Sequence, residues 1–295
     1  MATGRADAEK EIKRNPHGDF KAVEASRPPF DKTSSFHYTQ TPKPDWTPGS
    51  GPNDASNQGK SHRSIAPYEQ GRPVVHNYKL LISAIVPRPI GFVSTISADG
   101  QSTNLAPFSY FNLVNHDPPM FVLGFAGGMD KAKDTLKNLL DTKEATVNII
   151  SEHYAEAANF TSINAPPGIS EWAFSGLHPE KSKIVRPDRV KEAVFSIEAK
   201  LVDSVEWTSK NPDTPGKKTG VTVFIEGVNF WAREDAIDEQ GVLIDPAVLK
   251  PISRLGGITY GRTTQAFELP RPDYDEVTKD PEVKKLALPK GESQL

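Results

Sequence analysis

The chain has 295 residues, of which 36% are hydrophobic, and a net charge of −3. That balance gives no global field for nucleic acid or anionic membranes, and the lack of cysteine excludes disulfides, thiolate metal sites and cysteine nucleophiles. No apolar run reaches the roughly 18 residues of a membrane span, and the charged start (Arg5, Asp7, Glu9, Lys10) has no signal-peptide core, so the expected location is the cytoplasm.

Residues 1–66 read as a disordered or loosely attached lead. Pro42, Pro44, Pro48 and Pro52 break helices, and Asn53 to Lys60 offers almost nothing to bury. Phe30, Phe36 and Trp46 are candidate anchors, with exposure in a loose tail as the alternative. A folded domain is expected over 67–272 and a charged tail over 273–295. Ile90 to Ile96 predicts a strand, Ala98-Asp99-Gly100 a turn, and Asn104 to Asn112 a returning strand. Pro107 cannot donate to a ladder, which implies an edge or a bulge there. A strand over Met120 to Phe125 follows Asp117-Pro118-Pro119. Leu136, Leu139 and Leu140 give Asp134 to Leu140 a helical period, with Asp134 as its N-cap. Ala145 to Ile150 predicts a strand, and Ser151 a cap for a helix running to about Phe160.

Residues 161–190 form a long irregular passage, a length uncommon unless functional. Phe195, Ile197, Ala199 and Leu201 then alternate with polar residues, as do Val221, Val223 and Ile225. That period of two indicates antiparallel strands. Asp245-Pro246 is a helix start. About six strands, few helices and mostly hairpin links predict a mainly β chain: a closed or nearly closed β-barrel with small peripheral helices. Neither G-x-G-x-x-G nor G-x-S-x-G is present, which disfavours a Rossmann unit and serine nucleophile chemistry.

Two adjacent strands carry small hydroxyl or amide residues: Ser94 and Thr95 on one, Asn104, Ser109 and Asn112 on the other. Such residues let backbone approach a flat ligand and bond its polar edge. Lys131, Lys133 and Thr135 stand where a helix begins, a good setting for phosphate, because ammoniums and helix N–H groups both favour anions. Together they suggest a phosphate-bearing aromatic cofactor. His116, His153 and His178 are separated and near no carboxylate at ligand spacing, so no metal site is expected.

The order and spacing of several pieces resemble the flavin reductase-like family, the FMN-binding split barrels. They are Pro87-Arg88-Pro89-Ile90, Val93-Ser94-Thr95, Asn104 to Asn112, Asp117-Pro118-Pro119, Lys133-Asp134-Thr135 with Asn138, and Pro166-Pro167-Gly168 leading to Gly176-Leu177. The resemblance covers 76–262. It implies a homodimer with FMN, or FAD as the alternative, in a cleft near the subunit interface. It implies cofactor contacts from Ser94, Thr95, Asn104, Leu105, Ala106, Pro107, Ser109, Asn112, Lys131, Lys133 and Thr135. Backbone left unpaired by a bulge at Ala106-Pro107 would bond the flavin ring. Tyr260 and Arg262 resemble a family ending that reaches the pocket, and loop 161–180 is a candidate lid. The implied activity is transfer of hydride from NAD(P)H, a transient co-substrate, to flavin. No catalytic side chain is required for that step. Reduced flavin would pass to free flavin, a partner monooxygenase or another acceptor. The alternatives are an FMN electron-transfer or carrier protein, and a related barrel using pyridoxal phosphate or no cofactor.

Overall fold

The structure, a computed structural model, describes residues 12–54, 56 and 59–287. Residues 1–11 and 288–295, the outer ends of the expected lead and tail, lie outside the described residues. Two compact units divide the chain. The smaller takes Ser35–Ile65 and the chain from Thr264 onward; in it β1 (His37–Tyr38) pairs in parallel with the strand Gln265–Ala266. The larger takes the chain up to Ser34 and Ala66–Thr263.

In the larger unit, α1 (Phe20–Ala25) is capped by Asp19, whose carboxylate accepts from the Ala22 N–H at 3.1 Å. Helix α2 spans Val74–Ala84. The strands that follow are β2 (Gly91–Ile96), β3 (Thr103–Phe108), β4 (Phe111–His116), β5 (Pro119–Ala126) and β6 (Glu144–Ile149), with α3 (Asp134–Thr142) before β6. Helices α4 (Ala155–Phe160) and α5 (Trp172–Ser175) precede a short hairpin, β7 (Pro179–Glu180) and β8 (Arg189–Val190). Two long strands, β9 (Phe195–Thr208) and β10 (Lys218–Ala232), complete an antiparallel strip of seven in the order β3-β2-β6-β9-β10-β5-β4. A last hairpin joins β11 (Ile252–Arg254) to β12 (Tyr260–Arg262).

The expected strand Asn104 to Asn112 is two strands. The chain leaves β3 at Phe108, turns at Ser109-Tyr110 and enters β4, and these lie at opposite ends of the strip. The strip therefore curls until its ends share a corner, while β3 and β4 are not neighbours in the ladder. Two glycines permit that corner. A Cβ on Gly91 would lie 3.0 Å from Phe111 Cγ, and one on Gly124 would lie 2.8 Å from Tyr110 Cβ. The Gly124 N–H donates to the Tyr110 carbonyl at 2.8 Å and fixes the turn.

Both faces of the strip are covered at β2 and β6. Val93, Leu123, Leu139, Val147 and Ile225 are buried in one cluster; Phe92, Leu105, Tyr154, Trp172 and Val190 are buried in another. Successive residues Phe92 and Val93 serve opposite faces, so β2 reads as a continuous apolar run rather than an alternation.

Pro107 causes no bulge. It pairs with Phe92 in an unbroken register from Gly91↔Phe108 to Ile96↔Thr103. The Leu105 N–H points outward, to Glu171. Pro107, two residues on, shares that phase, so its missing donor falls on the strip's outer edge and no ladder bond is lost. Two expected caps also differ. Lys133 occupies the N-cap position of α3, and Asp134 is its first helical residue, where a carboxylate favours the dipole. Ser151 precedes a 3₁₀ turn, Glu152–Tyr154, and its buried hydroxyl makes no cap bond.

The passage 161–190 is held from beneath by Glu198, which is fully buried on β9. Its carboxylate accepts from the N–H groups of Lys183, Ile184 and Val185 and from Asn229 Nδ2 and Trp231 Nε1, at 2.5 to 3.0 Å. Burial works to raise this carboxyl, but those donors outweigh it and hold the group below the usual carboxylate range.

Candidate functional site

The outer edge of β3 opens on a cleft of ≈1940 Å³ in the larger unit. Along one side run Asn104, Ala106, Pro107 and Ser109, ending at the corner residue Tyr110. Gly124 to Ala126 of β5 and the first turn of α3 close that end. Helix α4, loop 161–167 and Glu171 form a second side, and β11, β12 and residues 14–32 contribute the rest.

Six residues expected at a cofactor site are brought together here: Asn104, Ala106, Pro107, Ser109, Lys133 and Thr135. Five others lie elsewhere. Ser94 and Thr95 are buried within the strip, and the Thr95 hydroxyl accepts from Asn138 Nδ2 at 3.2 Å. The Leu105 side chain is in the core. Asn112 is on β4, where its Oδ1 accepts from the Leu113 N–H at 2.9 Å. Lys131 is exposed in a 3₁₀ turn before α3. His178 is also away from the cleft; its Nδ1 pairs with Glu192 at 2.5 Å.

A buried polar chain runs behind the β3 edge. The Thr135 hydroxyl donates to Asn104 Oδ1, and Asn104 Nδ2 donates to Glu171 Oε2 at 2.8 Å. The same carboxylate oxygen accepts from the Leu105 N–H at 3.2 Å. Both ends of the Asn104 amide are thus engaged, and the Thr135 proton is turned away from the α3 terminus. Burial raises the Glu171 carboxyl above its usual range against the pull of these donors, and the Asp134 charge adds to the rise. Glu171 had no sequence signature, because it sits 67 residues from Asn104.

Arg88, from the Pro-Arg-Pro motif, is buried and works as a tie. Its Nη1 donates to the carbonyls of Ile82 and Ile85 at 2.6 and 2.7 Å, and its Nη2 to Leu255 at 2.9 Å. It joins the end of α2 to the β11–β12 hairpin. On the same hairpin Arg262 forms a bidentate pair with Glu152, at 2.7 and 3.1 Å. Burial pushes the Tyr110 phenol up at the corner, with Tyr78 nearby adding to the rise.

These residues fit a flavin phosphate and ring. The N-cap of α3 has no side-chain cap bond, and Lys133, Asp134 and Thr135 of its first turn line one end of the cleft, where helix N–H groups favour an anion. Among the described residues no strand lies beyond β3; its outward Leu105 N–H is taken by Glu171 and Pro107 has no N–H, so carbonyl oxygens are what this side offers the edge of a flat ring. Apolar area for the ring faces comes from Ala106 and Phe108, both half-buried in the cleft.

Comparison with known proteins gives the family. Residues 83–250 match the family model for the flavin reductase like domain. An uncharacterised protein of Aquifex aeolicus is 41% identical over 62% of this chain and 88% of its own length. The crystal structure of nitrilotriacetate monooxygenase component B from Bacillus cereus has 34% identity and a TM-score of 0.65, over 71% of this chain and all (100%) of that one. The 2-nitrobenzoate 2-nitroreductase of Pseudomonas fluorescens has 31% identity and a TM-score of 0.61, over 72% of this chain and 98% of that one. The chain belongs to the flavin reductase-like family.

Proposed function

We propose that the cleft binds FMN and that the chain is an oxidoreductase reduced by NADH or NADPH. The observation that carries this reading is the outer edge of β3, the end strand of the strip, standing beside the first turn of α3 and Lys133. Lys133 and the α3 amides would hold the phosphate, and the outward carbonyl of Pro107 with the Ser109 backbone would hold the ring edge. FAD would need space for a second nucleotide, which the volume of the cleft provides. When bound, flavin supplies acceptance of hydride from nicotinamide and onward release of electrons.

The protein's part in that chemistry is placement. The covered strip keeps β3 rigid, so a ring seated on its edge presents a fixed face to the open side of the cleft. Loop 161–167 forms part of one side of the cleft and would limit water there. Hydride transfer requires no proton from a side chain, and Glu171, the buried acid nearest the edge, is already committed to Asn104 and Leu105. The likeness to a monooxygenase component B favours delivery of reduced flavin to a partner oxygenase. Exposed Leu113 and Val114 on the end strand β4 favour burial against a second copy of the chain.

Anaerobic stopped-flow mixing of FMN-loaded protein with NADH and NADPH tests the reading. Rapid bleaching of the flavin band is expected. Retention of the band with FMN still bound would favour the second reading, a flavin carrier or electron-transfer protein without nicotinamide reactivity.

A further inference from the structure

The family match begins at residue 83, yet residues well before it line the same cleft. Arg14, Phe20, Phe30 and Lys32 all do so. This early segment is fastened at two points within the larger unit. Arg14 Nε donates to the Tyr78 hydroxyl at 3.1 Å. Arg262 provides the second point. Its Nη1 donates to the Asp31 carbonyl at 3.1 Å, and its guanidinium lies 4.3 Å over the Phe30 ring. The same guanidinium holds Glu152 by its other two nitrogens, so one side chain links the segment to the turn Glu152–Tyr154. Phe30 nevertheless remains 59% exposed and offers uncovered ring surface.

The cleft, at ≈1940 Å³, is larger than the roughly 300–1,000 Å³ usual for one small ligand. Space is therefore left beyond a flavin on the β3 side. That remaining space has a consistent chemistry. Phe20, Phe30 and Tyr260 supply flat apolar faces, and Arg14, Lys32 and Arg254 supply positive charge. Of the carboxylates at this end, Glu152 is neutralised by Arg262, and Glu156 is outnumbered by the cations.

We propose that residues 14–32 form the substrate-side wall of the cleft and select a flat ring bearing a phosphate or carboxylate. Nicotinamide nucleotides and aromatic acids both have that chemistry. The inference rests on the reading that flavin occupies the β3 side.

The test uses full-length FMN-loaded protein and calorimetric titration, with AMP as the ring-phosphate probe and benzoate as the ring-carboxylate probe. Phe30→Ala is expected to weaken the bound probe by about threefold to tenfold, the scale of one aromatic stack. Lys32→Ala is expected to weaken it by about twofold to fivefold, less at high salt. FMN affinity, measured separately, stays within about twofold of wild type in both variants, on the independence of distant sites. Hydrogen exchange across residues 14–32 slows when the probe is added. Binding of AMP alone assigns the wall to a nucleotide, and binding of benzoate alone assigns it to an aromatic acid. The proposal is overturned if neither probe binds wild type, if both variants bind as wild type does, or if Phe30→Ala loses FMN along with the probe. Failure of the flavin reading appears differently, as wild-type protein that rejects FMN, and the two probe titrations then still decide whether the wall exists.

Discussion

Substitution of Glu171 separates the hydrogen bonds it makes from the charge it buries. Its Oε2 alone accepts from both Asn104 Nδ2 and the Leu105 N–H, at 2.8 and 3.2 Å. Glu171→Ala leaves both donors buried without an acceptor. At about 1–3 kcal/mol per stranded group the loss is about 3 kcal/mol, which lowers the midpoint of thermal unfolding by roughly 6–12 °C in a domain of this size. Glu171→Gln behaves differently. Its carbonyl oxygen can take the place of Oε2 and keep both bonds, while the buried negative charge disappears. The pH dependence follows from the raised carboxyl, whose ordinary value is 4.5. An acid held higher in the folded state stabilises the fold fully below its unfolded value. That contribution is lost as pH rises through the folded value. Urea unfolding from pH 4 to pH 8 should therefore show Glu171→Gln gaining on wild type as pH rises. A glutamine variant that loses as much as alanine at every pH would refute the assignment of both bonds to one oxygen.

At Glu198 the same change has the opposite sign. Its two oxygens together accept from five donors, so Glu198→Gln must set an NH2 group against N–H groups; denaturation should show a loss of about 3 kcal/mol or more. Because this carboxyl is held low, its contribution in wild type is present above the ordinary value of 4.5 and disappears as pH falls through the lower folded value, which acid unfolding will report. Gly124→Ala puts a Cβ 2.8 Å from Tyr110 Cβ, and should cost about 1–3 kcal/mol and open the corner, visible as faster exchange of the Gly124-position amide. Lys133→Ala should weaken FMN binding about tenfold or more, the scale of one charged hydrogen bond, in a fluorescence-quenching titration.

The residues that carried the sequence reading were those with local causes. Val221, Val223 and Ile225 alternate because one face of β10 meets the core, and all three are buried. Leu136 and Leu139 recur at helical spacing and are buried on one side of α3. What stayed hidden depended on distant partners. Nothing within Asn104 to Asn112 forbids one continuous strand; the break at Ser109-Tyr110 is set by Gly124 and by the room that Gly91 leaves for Phe111. The hydroxyl of Thr95 reads as a ligand contact until Asn138, 43 residues later, is placed against it. Glu171 reads as one acid in a polar loop, and only the fold brings it to the β3 edge. Phe30 was visible as an anchor, but its partner Arg262 lies at the other end of the domain sequence.

The central claim is that flavin sits on the outer edge of β3. Equilibrium titration of FMN against wild type and Ala106→Trp tests it most directly, because Ala106 lines the cleft at that edge and the larger ring would fill the flavin's place. Wild type should bind FMN stoichiometrically and the tryptophan variant should lose it, with unfolding still cooperative. Wild-type protein that takes up no FMN, or a variant that binds it undiminished, would contradict the claim.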